Sequence, residues 1–245
     1  LHLCEMKGSD KTIKQHNLIT QAKNGMSVYQ LNIFFLLLSK LGQERKSGYF
    51  YRIHLRELEE RLGKKIHTGK LKEATSKLRS QEYGIEETDG SYLQVGVLAS
   101  ARYIHSERII ELELSRVMED YLFDLKDNFT TYQLRIALEL KSKYSKRIYQ
   151  LLCQFRSTGY YTTTIDKLRD KFELQDKYEG YSMFKRKVLD IAEEELADTD
   201  MAFDYKVSKN GRKYDKIEFF FSSAKASKKT EGIATASPTL LKQAS

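Results

Sequence analysis

The residues best placed to do chemistry are the basic side chains of a helix-like segment between Ser182 and Ala197. Lys185, Arg186 and Lys187 fall in its first two turns, and acidic residues fill most of the remainder. This order opposes the helix dipole, which favours acids at the N-terminus and bases at the C-terminus. A helix that enters the major groove of DNA presents its N-terminal residues to base edges and phosphates. The pattern therefore favours a DNA-recognition helix over a solvated surface helix.

Helical periodicity predicts which face of this segment is buried. At about 100° per residue, one face is predicted to hold Phe184, Val188, Ile191 and Glu195. Arg186 then points away from the core. The predicted DNA contacts of this helix are Ser182, Lys185, Arg186 and Lys187.

A second basic cluster surrounds Gly211 at the turn of a predicted hairpin. It consists of Lys209, Asn210, Arg212 and Lys213. Basic hairpin turns of DNA-binding proteins run along the DNA backbone or insert an arginine into the minor groove. We therefore predict that these four residues contact DNA.

The first half of the chain offers a weaker version of the same pattern. Its candidate DNA contacts are Lys64, Lys65, Lys70 and Lys77. The hairpin that follows them has an acidic tip, formed by Glu86, Glu87 and Asp89. We expect this half to contact DNA less, and to self-associate through the apolar strands Tyr92–Leu98 and Ile109–Leu114.

Sequence patterns of catalysis and metal binding are missing. The five histidines form no HxH pair, which nicking enzymes of rolling-circle replication use to bind metal. The run Gly63–Lys70 resembles a phosphate loop, but five residues separate its glycines and Leu71 follows where Ser or Thr should hold magnesium. Cys4 and Cys153 lie too far apart for a zinc-binding spacing. We predict no catalytic residues, no metal and no cofactor.

The bulk composition favours a polyanionic partner inside the cell. The 245 residues have a formal net charge of +8 and a pI near 9.2, and 40% of them are hydrophobic, enough for two cores. The most apolar run, Ile33–Leu38, is far shorter than the ~20 residues that span a bilayer. No signal peptide is expected, and the scarcity of cysteine fits a reducing cytoplasm.

The order of predicted elements repeats along the chain. Each half reads helix, short strand, helix, turn, helix and hairpin, which is the order of a winged helix. The fold class predicted is α+β, with two tandem winged-helix domains related by internal duplication; two unrelated α+β domains that share this order by chance are the alternative. The matched positions are Leu58 with Leu168, Leu62 with Phe172, Leu78 with Ile191, and Gly90 with Gly211.

Two capping-box spacings are predicted to open long helices. Ser27 and Gln30 precede a helix over Val28–Leu41, and Thr130 and Gln133 precede helices across Tyr132–Phe155. The predicted domains are residues 1–125 and 126–224. A polar stretch at 225–245 is predicted to be a disordered tail.

Several segments resemble initiator replication proteins of iteron-containing bacterial plasmids. The resemblance extends over residues 14 to 221 and is strongest in the second half. Its segments are Asn17–Ala22, Asp127–Leu134, Lys141–Leu152, Leu168–Phe172, Tyr181–Leu189 and Ile217–Phe221.

This resemblance implies a non-enzymatic initiator. Such proteins bind direct repeats (iterons) at a plasmid origin as monomers, and adjacent AT-rich DNA opens. Dimers formed through the first domain repress the initiator's own gene at an inverted repeat. The implied partners are double-stranded DNA and the host helicase, chromosomal initiator and chaperones. A two-domain winged-helix transcriptional regulator without origin function remains the alternative.

Overall fold

The computed structural model describes residues 11–23, 25–41, 48–86, 90–123 and 125–222. The tip of the acidic hairpin, with the side chain of Glu86 and with Glu87 and Asp89, lies outside the described residues, as does the predicted tail. The first half contains β1 (Thr12–His16), α1 (Asn17–Gln21), α2 (Val28–Lys40), β2 (Phe50–His54), α3 (Leu55–Leu62), α4 (Thr68–Arg79), β3 (Glu82–Glu86), β4 (Tyr92–Gly96), β5 (Leu98–Ile104), β6 (Ile109–Leu114) and α5 (Arg116–Glu119). The second half contains β7 (Phe129–Gln133), α6 (Leu134–Glu139), α7 (Lys143–Gln154), β8 (Tyr160–Thr164), α8 (Ile165–Lys171), α9 (Tyr181–Phe184), a π-helical turn (Lys185–Leu189), α10 (Asp190–Leu196), β9 (Phe203–Asn210) and β10 (Lys213–Phe221).

Helices α2, α3 and α4 of the first half follow local sequence signals. The Ser27 hydroxyl accepts a hydrogen bond from the backbone N–H of Gln30, and the side-chain oxygen of Gln30 accepts one from the backbone N–H of Ser27. The predicted capping box therefore opens α2. Helix α3 ends at Gly63, whose φ of +63° is left-handed and suits glycine. The apolar residues that mark α4 are buried: Leu71, Ala74 and Leu78.

Both halves contain the same three-stranded antiparallel sheet. The strand order is β2-β6-β5 in the first half and β8-β10-β9 in the second. In each sheet the middle strand is the last one in sequence, β6 or β10. On one side of it lies the short strand that precedes the helix pair, β2 or β8, and on the other side lies the first strand of the terminal hairpin, β5 or β9. Ile53 pairs with Ile110, and Thr163 pairs with Ile217 at the equivalent place. Two copies of one winged-helix fold therefore stand in tandem, as predicted.

The hairpin predicted as the first wing is a different element. Strands β3 and β4 form a separate two-stranded sheet, and β5–β6 is the counterpart of the second wing, with its turn between Ile104 and Ile109. The match of Gly90 with Gly211 is therefore wrong. Strand β5 escapes detection because only Leu98 in it is fully buried, so the period of two is lost.

Thr130 and Gln133, predicted to form a capping box that opens helices, lie in strand β7 (Phe129–Gln133). It pairs antiparallel with β1, with Thr130 opposite Gln15. The Thr130 hydroxyl donates to Oδ1 of Asn17 at 2.8 Å and accepts from the Thr20 hydroxyl at 3.0 Å, so it caps no helix. The second predicted capping box is wrong because β1, remote in sequence, recruits this segment into a sheet.

A buried arginine joins the start of the chain to the second half. Nη2 of Arg147, on α7, donates to the carbonyls of Thr20 and Ala22 at 3.1 and 2.9 Å. Nη1 donates to the side chain of Gln150 at 3.0 Å. The segment from β1 to Ala22 thus packs on the second half of the chain. The domain boundary between residues 125 and 126 stays a prediction.

One hydrophobic core extends through both halves. Helix α2 lies at its centre, where Phe35 contacts the edge of Tyr132 with ring centroids 5.8 Å apart. Within the described ranges, no helix has the length and apolar character that a membrane span requires.

Candidate nucleic-acid interface

The predicted recognition helix of the second half contains a π-helical turn. Phe184 and Val188 are buried, as predicted, and so is Leu189, the last residue of the turn. After the turn the buried positions are Ala192 and Leu196. The expectation that Ile191 and Glu195 belong to the apolar face is wrong. A π turn adds one residue, so every later residue rotates relative to an ideal α-helix.

Glu195 has a different role, which the sequence pattern does not indicate. Its carboxylate accepts hydrogen bonds from the backbone amides of Lys141 and Ser142 at 2.9 and 3.1 Å. These amides lie at the start of α7, where a negative charge is favourable. The contact fixes the far end of the recognition helix against α7.

The basic side chains at the start of this helix differ in their availability. Ser182, Arg186 and Lys187 are exposed. Lys185 instead pairs with Asp190, and hydrogen bonds to Asp190 and Tyr205 raise the pKa of its ammonium above the ordinary value. Arg186 and Lys187 therefore carry the positive charge that this face presents to solvent.

The second wing has a short turn with a basic tip. Gly211 and Arg212 connect β9 to β10, and Gly211 has a φ of +62°, which favours glycine at this place. Lys209, Asn210 and Arg212 are exposed. Lys213 is also exposed, although its ammonium lies 2.6 Å from the carboxylate of Asp166.

Two stacked tyrosines connect the wing to the recognition helix. The rings of Tyr181, the first residue of α9, and Tyr214, in β10, lie 3.9 Å apart at an angle of 22°. The ammonium of Lys209 lies 4.5 Å from the centre of the Tyr214 ring. The stack brings the predicted wing residues and the start of the recognition helix into one basic surface. Tyr181 and Tyr214 lie far apart in the sequence, so no local pattern indicates that their rings stack.

The four lysines predicted in the first half are exposed but are not equivalent. Lys64 and Lys65 lie in the turn between α3 and α4, and the ammonium of Lys64 is 5.8 Å from the centre of the Tyr29 ring. Lys70 lies in the first turn of α4. Lys77 forms an ion pair with Glu73 one turn earlier at 2.6 Å, a common pairing on helix surfaces.

Helix α4 presents two further basic residues that the predictions omit, on the side of the helix opposite Lys70 and Lys77. Lys72 and Arg79 are exposed, and helical periodicity relative to the buried Leu71 could have found them.

On the neighbouring sheet, Arg52 and Arg102 flank the carboxylate of Glu111 at 3.0 and 2.6 Å. Burial raises the pKa of this carboxyl group, but hydrogen bonds from the two arginines outweigh it and keep the pKa below its usual range.

No cluster of three His, Cys, Asp or Glu side chains suited to a metal ion occurs in the part of the chain that the structure describes. The Cys153 thiol is buried, which raises its pKa to about 12. It is therefore held in the thiol form, which is not the nucleophilic one.

Comparison with known families assigns both winged helices. Residues 12–153 match the family model described as Initiator Replication protein, WH1, and residues 164–221 match that of Initiator Rep protein, WH2. The chain belongs to the initiator replication protein family. Its members are DNA-binding initiators of plasmid replication built from tandem winged helices and are not enzymes.

Individual relatives of this initiator agree with the assignment. The PI protein of Escherichia coli is 30% identical over 148 residues, which cover 53% of this chain and 48% of that protein. The probable replication protein rep of Bifidobacterium longum (strain NCC 2705) is 26% identical over 113 residues, 46% of this chain and 38% of that protein. The chain thus matches about half the length of these curated relatives or less.

A solved structure shares the whole architecture of the initiator. The crystal structure of the Pi initiator protein in complex with iteron DNA superposes with a TM-score of 0.71 at 22% identity. The match covers 88% of this chain and 98% of that one. This likeness supports the arrangement of two winged helices in one chain.

Proposed function

We propose that this initiator binds the direct repeats of a plasmid origin, chiefly through its second winged helix. The observation that carries the proposal is the Tyr181–Tyr214 stack, because it holds a basic helix start and a basic wing tip on one surface. The solved Pi initiator of similar fold is bound to iteron DNA. The residues proposed to contact DNA are Ser182, Lys185, Arg186, Lys187, Lys209, Asn210, Arg212 and Lys213, with Lys64, Lys65, Lys70 and Lys77 as auxiliary contacts.

The two basic elements are proposed to do different work. Arg186 projects from the recognition helix, where a guanidinium can donate two hydrogen bonds to the major-groove edge of guanine. Lys187, Lys209 and Arg212 are placed to neutralise phosphates, which adds affinity without reading sequence. Lys185 contributes less, because Asp190 already compensates its charge.

Finer steps of initiation are part of the proposal. The initiator binds each iteron as a monomer, promotes opening of the adjacent AT-rich DNA in the bacterial cytoplasm, and recruits the host helicase and chromosomal initiator. As a dimer it represses its own gene, and host chaperones shift the dimer to the monomer. These steps rest on membership of the family.

The first half is proposed to form the dimer. Strand β6 is the middle strand of its sheet, so both its edges are already paired and the expected self-pairing through Ile109–Leu114 is wrong. Strand β4 pairs only with β3 among the described strands, and Tyr92 at its start is 63% exposed. An edge strand with an exposed aromatic side chain can pair with a copy of itself across a two-fold axis.

Binding to origin DNA tests the proposed function. The full chain would be titrated against a duplex carrying one direct repeat from the parent plasmid and against a scrambled duplex of equal composition, at several salt concentrations. Preference for the repeat by a factor of about 10³ or more is expected of specific recognition. Equal affinity for both duplexes would contradict the proposal.

Replication separates an initiator from the alternative regulator. A plasmid carrying the repeats but lacking this gene should replicate only when the protein is supplied in trans. Specific binding without any rescue of replication would favour a transcriptional regulator.

A further inference from the structure

The outer edge of β1 presents backbone groups that other described residues leave unpaired. The carbonyl of Lys11 accepts a hydrogen bond from the Leu134 N–H, and the N–H of Asn17 donates to the Asn128 carbonyl. The backbone N–H and C=O groups of the odd-numbered residues of β1 therefore point toward β7. Alternation in an antiparallel ladder turns the N–H and C=O groups of Thr12 and Lys14 to the opposite side. On that side the His16 N–H donates to the Tyr121 carbonyl at 3.0 Å, whereas Thr12 and Lys14 have no backbone partner there among the described residues.

A groove of about 570 Å³ lies along this edge. Its walls come from the end of α2 and from the segment after α5, and they are mainly apolar: Leu38, Leu41, Leu122, Phe123 and Leu125. The charged residues among its described lining are all lysines: Lys11, Lys14 and Lys126. The volume is within the range of binding clefts in proteins.

We infer that this groove is a docking site for an extended acidic segment of a partner protein, which adds a strand beside β1. The backbone groups of Thr12 and Lys14, which have no partner among the described residues, can pair with a free backbone, which an extended peptide has and a helix lacks. Alternating apolar side chains of the added strand would pack on the leucines and Phe123. Carboxylates between them would meet the three lysines.

The groove is distinct from the proposed DNA surface in chemistry. Phosphates gain nothing from an apolar floor, and the sugar-phosphate backbone has no N–H groups to pair with the carbonyls of a strand edge. The surface therefore lets the initiator hold a protein partner without using the basic helix start and wing.

Fluorescence anisotropy of the full chain with synthetic peptides tests the docking site. The probe is an acetylated, labelled ten-residue peptide that alternates Asp and Leu, and its control alternates Lys and Leu. The acidic peptide is expected to bind at least tenfold more tightly at low salt. Equal binding of the two peptides would overturn the inference.

Backbone methylation tests strand addition directly. In one version of the acidic peptide every Leu amide is N-methylated, and in the other every Asp amide. Only one set of amides can face β1, so one version should lose binding at least tenfold while the other keeps it. Similar affinity of both versions would exclude pairing with the β1 edge.

Charge reversal on the surface locates the site. Lys126→Glu is expected to weaken the acidic peptide at least fivefold, whereas Lys167→Glu, an exposed lysine on α8, should leave it unchanged. Equal effects of the two changes would refute this location. If the chain self-associates and Lys126→Glu abolishes this self-association, the groove binds a second copy of the chain. That outcome would refute the acidic partner.

Discussion

The ring of Tyr214 in the wing stacks on the ring of Tyr181 at the start of the recognition helix, with centroids 3.9 Å apart. Aromatic pairs of this kind contribute about 0.5–1.5 kcal/mol beyond the area they bury. The stack orients the wing relative to the helix, so both can meet one duplex at once.

Loss of this stack should weaken DNA binding although neither ring carries charge. Tyr214→Ala is expected to lower affinity for the cognate repeat about three- to tenfold, because the wing is no longer held beside the helix. Tyr214→Phe keeps the ring and serves as the control. Titration of labelled duplexes measures both variants, and wild-type affinity of Tyr214→Ala would disprove the coupling.

Arg186 is predicted to read a base. Arg186→Ala should lose about 1–3 kcal/mol of binding free energy and relax the preference at a single position of the repeat. Lys187→Ala, the neighbouring exposed charge, should weaken all sequences alike. The measurement is competition among repeats substituted at each position. An Arg186→Ala protein with unchanged preference would remove the assignment.

The wing is predicted to contact the phosphate backbone. Replacing Lys209, Arg212 and Lys213 by Ala should lower affinity and reduce the slope of log K against log salt by up to about 0.9 per lost contact. Lys216, which pairs with Glu218 on the same hairpin, provides a matched single control. An unaltered slope in the triple variant would mean that the wing tip does not touch phosphates.

Lys146 should make stability depend on pH. It is buried on α7, where its ammonium donates to the carbonyls of Ala137 and Leu138, and burial lowers its pKa from 10.5 to about 7. Between these values the unfolded chain binds more protons than the folded chain. The contribution of Lys146 to the unfolding free energy therefore rises as pH increases from about 7 to 10.5, by at most about 1.4 kcal/mol per pH unit.

Urea denaturation of Lys146→Met between pH 7 and 9.5 measures this contribution. The variant should show a flatter rise of unfolding free energy with pH than the parent chain. Lys171, whose pKa burial lowers to about 8, is present in both proteins and contributes equally. Parallel pH profiles would argue that the Lys146 ammonium is not desolvated.

Arg147 should be required for the docking of the N-terminal segment. Arg147→Leu leaves the buried carbonyls of Thr20 and Ala22 without their donor, and each unpaired group costs about 1–3 kcal/mol. We expect a lower unfolding free energy and faster proteolysis near residues 12–22. Gln154→Leu, which removes a contact to the neighbouring Gln21 side chain, is a milder control. Equal stability of the two variants would contradict this role.

Local sequence determined the elements whose signals lie within a few residues. The capping box at Ser27 and the glycine at Gly63 set helix ends through contacts inside one turn, so α2 and α3 follow from the chain itself. Helical periodicity likewise exposes Arg186 and buries Phe184 and Val188. The tandem winged helices and the basic character of the second recognition surface were therefore readable from the sequence.

The tertiary structure decided the features that depend on remote partners. Thr130 is in a strand because β1 pairs with it, and β5–β6 rather than β3–β4 is the first wing because β6 inserts beside β2. The π turn moves Ile191 and Glu195 off the core face, and the burial of Arg147 depends on carbonyls from the other half. Local propensity cannot specify such pairings, since strand partners and buried polar contacts are chosen by the packing of the whole chain.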